Sequence, residues 1–360
     1  MRIPNSFDVE AGDRAWHDVA KFLIECAVVS YQPEFNVRAA FEGAQNAELV
    51  DHFEWFQTEG RVVDTEAFGV SLERDVVLAF RGTEGLRDVL GDVTLSRSFL
   101  MDYEHKKPLA DTKAHDGFRR CLDAVWSDRS NTRARATTKS ATTIPEFLER
   151  HAGTDKKIWL TGHSLGGAIA TLAAARLEGA GSPFKTRVGG LYTIGSPRAL
   201  NGSGARKLMT QLGEDRVYRI VKSIDPVPLV PRIRYKHVSG TRSFVTSSGD
   251  LVLLREASPA QKSVARAKRR AESLLSWVRA VEGLIGSAIP GQHAGVDAWV
   301  AGHNAQAYLS AVKRWSPTNK HGLGDILKMT TSPIKLSVAG LASGGALDAY
   351  WPAIQLVLGL

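Results

Sequence analysis

Residues 160–177, LTGHSLGGAIATLAAARL, constrain the fold of this chain most strongly. The segment begins with residues typical of a β-strand, passes through Gly-His-Ser-Leu-Gly at 162–166 and continues as an alanine-rich run typical of a helix. A strand that turns directly into a helix needs a tight corner, which forces Ser164 into strained backbone angles. A side chain at Gly162 or Gly166 would collide with the adjacent strand or helix, so both positions require glycine.

Such a corner, a nucleophile elbow, is typical of proteins that present a serine as a nucleophile. It holds the Ser164 hydroxyl at the carboxyl edge of a sheet. The following helix directs its N-terminus and the amide of Leu165 toward the place where negative charge develops in acyl transfer. His163 lies in the corner between Gly162 and Ser164. The alternative is an ordinary turn, but the strand and helix signals on either side favour the nucleophile.

Strand and helix signals alternate along the rest of the chain. The predicted helices cover 14–31, 115–126, 165–178 and 203–212. The predicted strands cover 68–72 and 76–80, which form a hairpin, and 156–161, 188–194 and 216–223. The polar segment 127–143 is predicted to be a surface loop. This alternation predicts an α/β fold with a mostly parallel central sheet and helices on both faces.

A nucleophilic serine needs a base, and the base needs a carboxylate that orients it. In this class of fold the order along the chain is serine, carboxylate, histidine. Asp225 directly follows an apolar strand, so it is expected at the same sheet edge as Ser164. Asp215 precedes that strand and Asp250 lies in a predicted turn, which leaves Asp225 as the favoured carboxylate.

Four histidines follow Asp225 and compete for the role of base. His303 immediately precedes a predicted helix, in a loop that can bring its ring over Ser164, and it is the favoured candidate. His237 is interpreted as a structural residue of a strand. His293 lies in a loop rich in proline and glycine, and His321 lies in the tail.

The two cysteines and the charge pattern limit the other possibilities. Cys26 and Cys121 lie far apart and form neither a zinc-binding spacing nor a disulfide framework, which favours a reducing compartment. Without a signal-peptide pattern, we expect a cytoplasmic protein as synthesised, with signal-independent export left open. The net charge is +8, with much of the excess in 255–279. Because no nucleic-acid-binding motif accompanies that segment, nucleic acid is not an expected partner.

Six motifs, including the elbow segment, occur in a characteristic order, namely VVLAFRGTE, HDGF, TGHSLGGAIATL, LYTIGSPRALN, DPVPLVP and YKHVSG. With them the chain resembles the class 3 lipases, the fungal-type lipases of the α/β-hydrolase fold, over about residues 60–315. The resemblance implies a triad of Ser164, Asp225 and His303, with Thr83 and Leu165 forming the oxyanion hole. It implies hydrolysis of acylglycerol-type esters through an acyl-enzyme, with no metal or organic cofactor.

The same resemblance places 84–92 at the position of a lid. Leu86, Val89 and Leu90 form one apolar face there, which fits either a lid that opens against lipid or a helix packed in the core. Family members often carry aspartate directly before the catalytic histidine, where this chain has Gly302. A phospholipase A-type enzyme acting on anionic membranes and a catalytically silent scaffold remain as alternative functions.

We expect one hydrolase domain over 1–316, with an N-terminal helical part at 1–60 and a helical insertion at 255–292. A C-terminal helical tail, apolar in character, follows at 317–360. Within the insertion, residues 262–289 combine an apolar stripe with a basic first half. That pattern fits either a helix packed on the domain or a peripheral contact with an anionic membrane. The oligomeric state is not predicted.

Overall fold

The computed structural model describes residues 1–11, 13–43, 46–59, 65–83, 96–127, 137–138, 142–222, 225, 227–231, 234–238, 241–245, 251–253 and 303–315. Its strands are β1 (Val50–Glu59), β2 (Thr65–Leu72), β3 (Asp75–Phe80), β4 (Arg97–Met101), β5 (Pro108–His115), β6 (Thr137–Thr138), β7 (Lys157–His163), β8 (Val188–Ile194), β9 (Val217–Lys222), β10 (Thr241–Val245) and β11 (Leu251–Leu253). Its α-helices are α1 (Asp13–Val29), α2 (Glu34–Glu42), α3 (Asp116–Trp126), α4 (Ile144–His151), α5 (Leu165–Leu177), α6 (Gly202–Leu212) and α7 (Ala305–Arg314). Short 3-10 turns occur at Val9–Ala11, Glu214–Arg216 and Val227–Leu229.

One sheet organises the molecule, with nine strands in the order β11-β10-β9-β8-β7-β3-β2-β1-β6. Its centre is parallel, because β3, β7, β8, β9 and β10 pair in the same direction. Strands β1 and β2 at one end and β11 at the other are antiparallel to their neighbours. The carboxyl ends of the parallel strands therefore meet along one edge, which is where ligands bind in open α/β sheets.

Helices cover both faces of this sheet, as predicted. Side chains of the central strands alternate between two apolar cores. Val76, Leu78 and Phe80 of β3 pack into the core under α3 to α6, while Val77 and Ala79 pack into the core under α1, α2 and α7. A strand buried on both faces is apolar at nearly every position, which explains the continuous apolar run of β3. The α/β fold with a mostly parallel central sheet is thus confirmed.

Most of the predicted elements are present within one or two residues. The hairpin is β2 and β3, and the predicted strands and helices from 156 onward correspond to β7, α5, β8, α6 and β9. The helix predicted at 14–31 is α1, which ends at Val29. The N-terminal part is not wholly helical, because β1 occupies its last residues. Phe53 and Trp55 of β1 pack into the core under α1, α2 and α7, and Phe56 packs into the core under α3 to α6. The side chains of β1 thus point to the two faces of the sheet in turn, which the expectation of a helical part at 1–60 overlooked.

Other differences lie at the ends of the sheet and in its loops. The stretch before α3 contains the hairpin β4 and β5, and β10 and β11 extend the sheet beyond β9. Within the predicted loop 127–143, Thr137 and Thr138 pair with β1. The lid candidates Leu86, Val89 and Leu90, the insertion 255–292 and the tail 317–360 lie outside the described residues. In the described part of the chain, no helix is long and apolar enough to span a bilayer.

Candidate active site at the carboxyl edge of the sheet

The corner between β7 and α5 has the strained geometry expected of a nucleophile elbow. Ser164 has φ of 55° and ψ of −126°, in a region that non-glycine residues rarely adopt. A Cβ atom on Gly166 would lie 2.0 Å from the carbonyl oxygen of Phe80, and one on Gly162 would lie 2.3 Å from the carbonyl carbon of Gly166. Both glycines are therefore required by close backbone approach, as the sequence predicted. The Ser164 amide donates to the carbonyl oxygen of Ile194 on β8, which fixes the corner to the sheet.

The loop that follows β3 lies directly against this elbow. A Cβ atom on Gly82 would lie 2.6 Å from the carbonyl oxygen of His163, so the loop can approach the elbow only because residue 82 is glycine. Thr83 is the next residue, and Leu165 begins α5 on the other side of Ser164. The two residues expected to form the oxyanion hole are thus carried by neighbouring segments at one edge of the sheet.

Asp225 lies at the same edge and is fully buried. Its amide donates to the carbonyl oxygen of Lys222, the last residue of β9. Three donors approach its carboxylate: His303 Nδ1 at 2.8 Å and the Tyr308 hydroxyl at 2.6 Å, both to Oδ2, and the Val227 amide at 2.9 Å to Oδ1. A buried carboxylate needs such partners, because an isolated charge without water is costly. The carboxylate is therefore held in one orientation.

His303 joins Asp225 to the elbow. It directly precedes α7, where Asn304 caps the helix by accepting from the Ala307 amide. Its ring is also close to Gly195, since a Cβ atom there would lie 3.0 Å from His303 Cε1. The ring is almost fully buried, and within the described part of the chain His303 Nε2 and Ser164 Oγ are both buried without a hydrogen-bond partner. A nucleophile and a base that wait for a substrate would leave these two atoms available.

Two tyrosines complete the surroundings of these residues, and no motif or spacing pointed to either of them. Tyr308 of α7 donates to Asp225 and accepts from the Lys222 amide at 2.9 Å. The Tyr31 hydroxyl lies 2.8 Å from His163 Nδ1, while His163 Nε2 lies 2.8 Å from the carbonyl oxygen of His303. Burial, and secondarily the neighbouring His303, hold the pKa of His163 well below its ordinary value, so its ring is neutral.

The competing candidates are not brought to this cluster. His237 Nε2 lies 2.7 Å from the carbonyl oxygen of Pro228, and the residue follows an isolated bridge at Lys236 and does not belong to a strand as expected. Asp215 lies in the 3-10 turn that precedes β9, at the opposite edge. His293, His321 and Asp250 lie outside the described residues. Within the described ranges, no group of His, Cys, Asp and Glu side chains could hold a metal ion.

Comparison with known proteins relates part of this chain to lipases. Residues 77–235 match the family model described as Lipase (class 3). A secreted mono- and diacylglycerol lipase 1 of Fusarium solani is 33% identical over 168 residues, which are 46% of this chain and 43% of that protein. A phospholipase A1-II 1 of Oryza sativa subsp. indica is 24% identical over 63% of this chain and 56% of its own length. The chain thus spans about half the length of these curated relatives.

A solved structure supports the fold. The Rhizomucor miehei lipase propeptide complex aligns with a TM-score of 0.50 and 20% identity, covering 67% of this chain and 72% of that chain. The matched sequence region contains the loop after β3, the elbow and Asp225, whereas His303 and Tyr308 lie beyond it. Residues 77–235 of this chain are thus similar to the class 3 lipases, the family whose model they match.

Proposed function

We propose that this protein is a serine hydrolase that cleaves carboxylic ester bonds of acylglycerol-type lipids. One observation carries the proposal. The buried Ser164 Oγ on a strained elbow and the buried His303 Nε2 have no hydrogen-bond partner in the described ranges, while the other nitrogen of His303 is bound to Asp225. A serine presented by a strained elbow at the same sheet edge as a histidine oriented by a carboxylate is the arrangement of a nucleophile and its base.

In the proposed reaction, His303 Nε2 takes the proton of Ser164 as Oγ attacks the acyl carbonyl carbon. The amides of Thr83 and Leu165 donate to the oxyanion of the tetrahedral intermediate. Asp225 holds the tautomer with hydrogen on Nδ1 and stabilises the imidazolium that forms. Collapse breaks the ester bond, and His303 returns the proton to the leaving alcohol. Water then attacks the acyl-enzyme by the same steps and releases the carboxylic acid.

Phospholipase A activity is the second candidate, because one relative is a phospholipase A1 and its alignment covers more of this chain than that of the acylglycerol lipase. The two candidates share the same chemistry and differ in the alcohol that leaves. A parallel assay with diacylglycerol and phosphatidylglycerol substrates, each with several acyl-chain lengths, separates them by the ratio of kcat/KM.

Peripheral contact of 262–289 with an anionic membrane and a cytoplasmic location are further proposals. The basic first half and apolar stripe of 262–289 support the first. The cysteine usage supports the second, because Cys26 and Cys121 lie far apart in the sequence and form no disulfide framework there. The Fusarium solani relative is named a secreted lipase, so fractionation of expressing cells into cytosol, membrane and medium is the direct test of location.

Labelling with a fluorophosphonate ester, followed by mass spectrometry of the labelled peptide, tests the proposed nucleophile. We expect the label on Ser164 alone and no labelling of Ser164→Ala. Ser196→Ala is the matched control, because Ser196 is another buried serine next to α5. A Cβ atom added to Gly167 of α5 would lie 2.7 Å from the Cβ atom of Ser196. That variant should label like the wild type. A folded wild type that takes no label and cleaves no ester would instead support a silent scaffold.

A further inference from the structure

His163 lies between Tyr31 and the backbone of His303. Its ring is buried and lies 4.5 Å from the ring of His303, measured between ring centroids. Each of its nitrogens contacts one neighbour: Nδ1 lies 2.8 Å from the Tyr31 hydroxyl, and Nε2 lies 2.8 Å from the carbonyl oxygen of His303. These contacts join residues 132 and 140 positions apart in the chain.

The chemistry of the two partners determines where the hydrogen atoms lie. A backbone carbonyl oxygen can only accept, so His163 Nε2 must carry hydrogen and donate to His303. The buried ring is neutral and has one hydrogen, which leaves Nδ1 as an acceptor. The Tyr31 hydroxyl must therefore donate to Nδ1. Hydrogen bonds run in one direction, from Tyr31 through His163 to the backbone of His303.

We propose that Tyr31 is a positioning residue for the catalytic base: by donating to Nδ1 it fixes the orientation of the His163 ring, so that Nε2 holds the backbone of His303 beside the elbow. The inference rests on the proposed ester hydrolysis. His303 would then be held from two sides: by Asp225 at Nδ1 of its ring and by His163 at its carbonyl oxygen. Without the Tyr31 hydroxyl, His163 Nδ1 loses its hydrogen-bond donor, so the ring can turn and weaken the bond from Nε2 to the His303 carbonyl oxygen.

The surroundings of Tyr31 keep its hydroxyl in place. A Cβ atom on Gly82 would lie 2.1 Å from the Tyr31 hydroxyl oxygen, so the loop before Thr83 closes directly over it. The guanidinium of Arg81 lies 5.8 Å from the centre of the Tyr31 ring and forms an ion pair with Glu66. The Arg81 contact involves the ring, so Tyr31→Phe keeps it and removes the hydroxyl that Gly82 approaches.

The same arrangement makes the N-terminal segment part of the active site. Tyr31 follows α1, which lies outside the matched residues 77–235. Helix α1 packs against α7, the helix that begins just after His303: His17 Nε2 lies 2.7 Å from the carbonyl oxygen of Val312, and Lys313 pairs with Glu25 at 2.5 Å. The residues before the matched region therefore contact the last turn of α7 directly, and reach the backbone of His303 through His163.

Nuclear magnetic resonance of the histidine rings tests the direction of the hydrogen bonds. Two-bond hydrogen–nitrogen correlation spectra of the full-length protein, labelled with 15N-histidine, distinguish the two neutral tautomers. We expect the wild-type His163 to carry hydrogen on Nε2 only, and the 15N resonance of its Nδ1 to shift in Tyr31→Phe, because that nitrogen loses the hydrogen bond from residue 31. A wild-type His163 with hydrogen on Nδ1 would overturn the proposal, whether or not any variant folds.

Steady-state kinetics on a soluble short-chain ester tests the consequence for catalysis. For Tyr31→Phe we expect kcat to fall between about tenfold and about a hundredfold, as for other small misplacements of a catalytic group, with KM nearly unchanged. Tyr103→Phe is the control, because its half-buried hydroxyl bonds the carbonyl oxygen of Pro145, away from Ser164. That variant should keep the wild-type kcat.

The two measurements separate the inference from the function on which it rests. An active wild type with an unchanged kcat in Tyr31→Phe would overturn the positioning role and leave ester hydrolysis intact. An inactive wild type would overturn ester hydrolysis, while the tautomer spectrum would still report the hydrogen bonds of His163.

Discussion

His303 donates from Nδ1 to Asp225 Oδ2 across 2.8 Å, although the two residues stand 78 positions apart in the chain. Asp225 is placed by the end of β9, and His303 by the capped start of α7. The orientation of the imidazole therefore depends on how α7 packs against the rest of the molecule. The following predictions test this arrangement and its surroundings.

Changes to the partners of His303 should lower the rate in a graded way. Asp225→Asn should keep the fold but lower kcat by about four orders of magnitude, because an amide in place of the carboxylate favours the wrong tautomer of the imidazole. Tyr308→Phe removes one of the three hydrogen bonds to Asp225 and leaves the carboxylate, so we expect a smaller loss, about tenfold. Ester hydrolysis assays measure both. Equal losses in the two variants would contradict this order.

His303 rather than His237 should act as the base. We expect His303→Ala to be folded and nearly inactive. His237→Ala loses the contact with the Pro228 carbonyl oxygen, so it should be less stable, by about 1 kcal/mol, while its folded fraction keeps full activity. Activity per folded molecule, with the folded fraction taken from circular dichroism, is the measurement. An inactive His237→Ala together with an active His303→Ala would assign the role of base to His237 instead.

Gly166 should be intolerant of even one added methyl group. Because a Cβ atom there would lie 2.0 Å from the Phe80 carbonyl oxygen, Gly166→Ala must shift β3 or α5. We expect its free energy of unfolding to fall by about 2 kcal/mol or more, measured by urea denaturation. Gly202→Ala is the control, since the nearest atom to its Cβ would lie at 3.5 Å and it begins a helix. That variant should be as stable as the wild type or slightly more stable.

Stability should fall as the pH falls below about 6.5, the ordinary pKa of histidine. Burial first, and then the nearby His303, hold the pKa of His163 well below that value in the folded protein. The unfolded chain therefore binds the proton more readily, and stability present above about pH 6.5 is lost as the pH falls toward the folded pKa. Burial lowers the pKa of His105 and His151 too, which adds a smaller effect of the same sign.

Urea unfolding between about pH 7.5 and about pH 5.5 measures this dependence. In His163→Gln, the slope of the unfolding free energy against pH should be smaller by up to about 1.4 kcal/mol per pH unit, the contribution of one linked proton. An unchanged slope in this variant would contradict a lowered pKa at His163.

The proposed membrane contact of 262–289 is tested by reversing its charge. In the variant with Lys268, Arg269 and Arg270 all changed to glutamate, binding to anionic vesicles should weaken, since each basic residue near such a surface contributes about 1 kcal/mol. Cleavage of a soluble short-chain ester should be unchanged. Cosedimentation with anionic and with zwitterionic vesicles at low salt is the measurement. Equal binding by variant and wild type would contradict the membrane contact and would favour the alternative, a helix packed on the domain.

The sequence by itself determined the features that depend on neighbouring residues. The elbow at Ser164 could be predicted because its strand, its glycines and its helix are contiguous, and the collisions at Gly162 and Gly166 follow from local backbone geometry. The parallel centre of the sheet followed from the alternation of apolar strands and helices. Strand β1 escaped prediction because both of its faces are partly apolar, so its alternation is weak.

Only the tertiary structure decided which distant side chains meet. The roles of Tyr31, His163 and Tyr308 depend on contacts across 132, 140 and 83 chain positions, and no local pattern distinguishes these residues from others of their type. Their hydrogen bonds form because α1 and α7 pack on one face of the sheet and bring their ends to the edge where β7 and β9 finish. The physical reason is that side-chain contacts of this kind are fixed by packing, which the order of residues along the chain specifies only through the whole fold.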